Sequence, residues 1–174
     1  THSEEIPVAW LYPKNWNGRA VIWLEENGTK GLRTPDGQLK GGVAKLLDSG
    51  ALVLGADLLF QSSAGGSGQN RIVKNPREFA GYTFGYNHSL FAQRTHDVLS
   101  ITQFLKNSTS PSHPPVKEIF TAAWGSTAQI AAAARALAGG AIRKATLDSA
   151  GFRFASLLDY QHPQFLPGGA KYLD

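Results

Sequence analysis

Residues 122–140 read AAWGSTAQIAAAARALAGG, an apolar run that meets a Gly-Ser pair and continues as an alanine-rich stretch. The run VKEIFTAAW (116–124) predicts a strand, residues 126–138 predict a helix, and Gly139-Gly140 predicts its stop. Ala128, Ala131, Ala132, Ala133, Ala134 and Ala136 are small enough to let that helix lie close against a sheet. A strand that passes straight into a helix through a tight turn is a building unit of parallel sheets. The turn raises a chemical question: does it present a nucleophilic serine, or only the backbone shape that would?

Outward from this unit the chain alternates. IPVAWLY (6–12) predicts a strand ended by Pro13 and the turn at 14–18. AVIWL (20–24) is apolar on both faces, as a central strand covered on each side must be. It runs into Glu25-Glu26-Asn27-Gly28, a polar loop suited to meeting a ligand at a strand's carboxyl end. GVAKLLDSG (42–50) predicts a short helix closed by Gly50, and ALVLGADLLF (51–60) a second buried strand. SLFAQRTHDVLSITQFLK (89–106) predicts the longest helix, with Leu90, Val98, Ile101 and Leu105 on one face and Ser89 at its start. After the loop NSTSPSHPP (107–115) and the unit at 116–138, RKATLD (143–148) predicts a further strand. Residues 61–70, QSSAGGSGQN, hold no apolar anchor and predict a flexible loop; their glycines lack the spacing of a dinucleotide fingerprint. The pattern predicts one α/β domain over residues 1–174, a mostly parallel sheet with helices on both faces.

Composition removes several classes of function. The 17 basic and 13 acidic residues give +4, but they are scattered, so neither nucleic acid nor a membrane surface is an expected partner. No apolar run reaches the roughly 18–20 residues of a membrane helix. The absence of cysteine excludes disulfides and thiol catalysis. Five histidines show no metal-ligand spacing, and no cofactor is implied. Three N-x-S/T sequons occur, at Asn27, Asn87 and Asn107. With no methionine, even at position 1, the chain reads as a processed or excised piece.

The turn at 124–127 has the architecture of a nucleophile elbow, in which G-x-S-x-G lets a strained backbone lift a serine above the sheet. Two registers are open. Ala123-Trp124-Gly125-Ser126-Thr127 puts Gly125 at the nucleophile position; a shift by one puts Ser126 there, with Trp124 at a tight flanking position. Ser126 is a candidate nucleophile on the second register, and a helix-capping serine on the first.

The stretches IPVAWLYPKNWNGRAVIWLEENGTKGL, LLDSGALVLGADLLFQ, FGYNHSLFAQRTHDVLSITQFL and ARALAGGAIRKATLDSAGFRF, followed by FLPGGAKY, resemble bacterial α/β-hydrolases of the acetyl xylan esterase-like or dienelactone hydrolase-like kind over most of residues 5–174. The resemblance implies an α/β-hydrolase-like sheet, here expected to lack its last strands, and a carboxylic-ester hydrolase acting on a small-molecule or polysaccharide ester. It also slightly favours a secreted or periplasmic protein. It sets the 24–28 loop in the oxyanion region and Asp57 at an acidic position after the next strand. Esterases of this kind carry serine in the elbow, so Gly125 is a departure. The alternative is a catalytically inactive hydrolase-fold domain that binds carbohydrate or protein.

The order Ser126, Asp148 or Asp159, His162 matches the Ser, Asp, His order of these folds, which makes Asp148 and His162 candidate acid and base. A second chain or a further segment supplying those groups and completing the sheet is the other arrangement. Glu26, Gly125 and Thr127 are candidate oxyanion or binding residues. His88, near Tyr82, Tyr86 and Asn87, is a candidate ligand contact. Arg94 and Asp97, flanking His96, suit a surface pair or an anchor to a neighbouring loop. Trp10, Trp16, Trp23 and Trp124 offer sugar-stacking faces if exposed, and core packing if not.

Overall fold

The computed structural model describes residues 5–61, 80–85, 87–108 and 115–169. The expected loop beyond Gln61, together with Tyr86 and the side chain of Tyr82, lies outside the described residues. Five strands form one sheet: β1 (Val8–Leu11), β2 (Arg19–Leu24), β3 (Leu52–Ala56), β4 (Glu118–Trp124) and β5 (Ile142–Asp148). Their order is β1-β3-β2-β4-β5. β1 pairs antiparallel with β3, and every other pair is parallel. This is the mostly parallel α/β sheet that the alternating sequence predicts.

Helices cover both faces because β2 and β3 are apolar on both. On one face Ile22, Leu24 and Leu54 pack with Val98, Ile101 and Leu105 of α3 (Leu90–Asn107) and with Ala128, Ala131 and Ala134 of α4 (Ser126–Leu137). On the other, Val21, Trp23 and Val53 meet Leu32 and Val43, the latter from α1 (Gly41–Asp48). The buried alanines of α4 recur every third residue, a single stripe on a 3.6-residue helix. Ala132 and Ala136, expected against the sheet, are exposed instead, because they fall outside that stripe.

Three short elements carry no clear periodic signal: 3-10 helices at Gly28–Leu32 and Phe154–Ser156, and α2 (Ala80–Phe84). The strand expected over 51–60 stops at Ala56. Beyond it Leu58 N donates to the side-chain oxygen of Gln61 at 3.0 Å, and Phe60 takes a positive φ of 61°, so the apolar run folds over the sheet's end. β5 lies at one end of the strand order, with Arg143, Lys144, Thr146, Leu147 and Asp148 exposed.

Candidate functional site

The chain bends sharply just past Trp124. Gly125 takes φ 57° and ψ −132°, and Ser126 is already the first residue of α4. That backbone region is nearly closed to residues with a Cβ and open to glycine. Of the two sequence registers, the structure takes the one with Gly125 at the apex. Ser126 follows it with helical backbone, one residue past the strained conformation. The apex is secured from both sides: Gly125 N donates to Asp148 O at 2.9 Å, and Ala128 N donates to Gly125 O at 3.1 Å.

Glu26 reaches the same point from the end of β2. Its Oε1 accepts a hydrogen bond from Ser126 N at 2.9 Å. In a nucleophile elbow the amide after the nucleophile is an oxyanion donor; here a carboxylate of the chain itself takes that amide. A negative group at a helix N-terminus is favourable, since the peptide dipoles leave partial positive charge there. A Cβ built on Gly125 would lie 2.7 Å from Glu26 Oε1, closer than carbon and oxygen can approach without a shift. The carboxylate therefore occupies the space into which a side chain at 125 would have to grow.

The loop carrying Glu26 is tied down. Gly28, at φ 57°, donates its N–H to Glu25 O at 3.0 Å, and Asp57 Oδ1 accepts from Thr29 N at 2.6 Å. Glu25 turns elsewhere, accepting from Trp23 Nε1 at 2.9 Å and pairing with Lys40 Nζ at 2.5 Å. The two adjacent glutamates thus hold different neighbours, Lys40 for one and the elbow for the other.

Thr127 is fully buried, and its hydroxyl lies 2.9 Å from both Leu24 O and Trp124 O. One hydroxyl proton shared between two carbonyls ties the carboxyl ends of β2 and β4 together. Gln164, buried in an irregular segment, donates from Nε2 to Ser126 O at 2.9 Å. Ser126 thus enters this network through its backbone, N to Glu26 and O to Gln164.

The remaining candidates have local partners. Asp148 ends β5, and its Oδ1 accepts from Ala150 N at 3.1 Å; it meets the elbow through its backbone carbonyl. Asp159 Oδ1 accepts from Gln161 N at 2.8 Å. His162 is exposed, and its Nδ1 accepts from Gln164 N at 3.2 Å, so it stands two residues from the glutamine on Ser126. His88 is exposed ahead of α3, whose cap is Ser89 with Oγ accepting from Ala92 N at 3.3 Å. Phe84 stacks on Phe165 at 5.4 Å between ring centres, joining α2 to the segment that carries Gln164.

Arg94 and Asp97 are both buried rather than a surface pair. Arg94 Nε donates to Leu59 O at 2.8 Å, and Asp97 Oδ2 accepts from Leu59 N at 2.8 Å. Together they grip both backbone polar groups of one residue, the loop-anchoring role. Burial lowers the Arg94 pKa, while the Asp97 charge opposes that shift. None of the four tryptophans is exposed: Trp23 lies 4.3 Å from Trp124 between ring centres, and Trp10 and Trp16 pack against the core. Sequence reasoning missed Gln164, since a lone glutamine outside any periodic element gives no signal.

Among the described residues, no group of three or more His, Asp or Glu side chains is placed to hold a metal ion, and no helix is long and apolar enough to cross a membrane. No family model matches the chain, and no curated protein does. Among solved structures the chain is similar to Est1E from Butyrivibrio proteoclasticus with ferulic acid bound, at 15% identity and a TM-score of 0.49. The match covers 80% of this chain and 47% of that one, so the chain spans about half the length of the structure it matches.

Proposed function

We propose that this chain is an α/β-hydrolase-like domain that does no acyl transfer at its elbow and acts by binding. The observation that carries the reading is the pairing of Gly125 at the apex with the Glu26 carboxylate on Ser126 N. Acyl transfer needs a nucleophile at the apex and free amide donors where the oxyanion develops. Glycine supplies no nucleophile, and an anion on the donor opposes a second anion there. The partner is a carbohydrate or a protein; the four tryptophans, buried or half-buried, leave little open ring for sugar stacking. The place of β5 at one end of the strand order supports a further segment or chain completing the sheet on that side.

The opposing reading is a carboxylic-ester hydrolase with Ser126 as nucleophile and His162 and Asp148 as its base and acid. One contact favours it: Gln164 brings the His162-bearing segment onto Ser126. Turnover of a chromogenic acetyl ester separates the two. The binding reading expects no burst, and equal background rates for the parent chain and Ser126→Ala. Turnover that Ser126→Ala abolishes would overturn it in favour of the ester hydrolase.

A further inference from the structure

After the carboxyl end of β2, residues between Asn27 and Lys40 line an open cleft of about 550 Å³. Its lining among the described residues includes Lys30, Arg33 and Lys40, with Asn27 and Thr34; two carboxylates stand against that lining, Glu25 on Lys40 and Asp36 on the Thr34 hydroxyl. We propose that this cleft binds a compact dianionic oxyanion group, phosphoryl or sulfuryl, carried by a small ligand. The site is separate from the elbow and stands whether or not the elbow is inert.

The charge arrangement supports this. Lys40 is partly neutralised by Glu25, at 2.5 Å, which fixes its position at the cleft wall. Lys30 is exposed and makes no ion pair among the described residues. Arg33 Nη1 donates to Gly37 O at 2.8 Å, which uses one of five guanidinium donors. The wall that carries Arg33 is braced: Thr34 N donates to Gln38 O at 2.8 Å, Gly37 N to Thr34 O at 2.8 Å, and Lys40 N to Leu32 O at 3.0 Å. A hydrogen-bonded turn therefore carries Arg33 and leads into Lys40, while Lys30 comes from the 3-10 helix before it. The Arg33 fork and the Lys30 ammonium, with Lys40 partly offset by Glu25, suit an oxyanion with more than one negative charge. The carboxyl ends of parallel strands are also where open α/β sheets bind ligands.

The test is calorimetric titration of the full chain at low ionic strength with inorganic phosphate, inorganic sulfate and, as a monoanion, acetate. Saturable binding of phosphate or sulfate, stronger than acetate, is expected. Lys30→Glu should weaken it by about tenfold or more, from the lost attraction and the added repulsion. Lys144→Glu makes the same charge change on exposed β5 and should leave binding unchanged; circular dichroism checks that both variants fold. Phosphate alone binding would assign a phosphorylated ligand, sulfate alone a sulfated one, and both the shared group. No saturable binding of either dianion, or equal weakening by both variants, would overturn the proposal.

Discussion

Glu26 Oε1 accepts a hydrogen bond from Ser126 N at 2.9 Å, joining the end of β2 to the start of α4 across a hundred positions of chain. The same oxygen lies where a Cβ on residue 125 would press. Carboxylate and apex side chain thus compete for one volume.

Gly125→Ala should destabilise the fold by about 1–3 kcal/mol in urea unfolding, since alanine must adopt φ +57° and displace Glu26. Glu26→Gly should be less costly in that background than in the parent. A double-mutant cycle with coupling above about 0.5 kcal/mol is expected. Additive effects would show that the two residues do not share the space.

Glu26→Ala removes the acceptor and the charge at the α4 N-terminus and should cost about 1 kcal/mol. Glu26→Gln keeps an acceptor and should cost less. Added salt should shrink the difference between parent and Glu26→Gln, because the site is exposed and screened. Unfolding curves at low and high ionic strength measure this; a salt-independent difference would rule out the charge-dipole part.

Thr127→Val conserves shape but leaves two strand-end carbonyls without their shared donor. A loss of about 1–2 kcal/mol is expected, with Thr127→Ser closer to the parent. Equal stability of the valine and parent chains in the same unfolding assay would remove the clamp from the account.

Arg94→Ala leaves Leu59 O and the Asp97 charge buried without their cation, which should cost about 2–4 kcal/mol. Arg94→Lys should recover little, because the bond to Leu59 comes from the guanidinium Nε, which lysine lacks. Thermal unfolding checks the order; a lysine variant as stable as the parent contradicts it.

Local patterns carried the sheet. The two-faced apolar run at 20–24 and the strand-to-helix change at Trp124 are short-range signals, and both elements stand where those signals put them. The site was legible only in part. Glu26 and Gly125 were candidates from their loop and turn, but their meeting depends on β2 and β4 being neighbours, which no local window contains. Arg94 and Asp97 read equally well as a surface pair because their common partner, Leu59, is far away in sequence. Gln164 has no periodic context at all. The 3-10 helix at Gly28–Leu32 is held in part by Asp57, which accepts from Thr29 N and lies 28 positions away, outside any local window.

With glycine at the apex and the Glu26 carboxylate on the next amide, no acyl-enzyme is expected to form. Intact-mass spectrometry after incubation with a fluorophosphonate tests it most directly. A chain of unchanged mass is expected; a stoichiometric adduct that maps to Ser126 and is absent from Ser126→Ala would contradict the inert elbow.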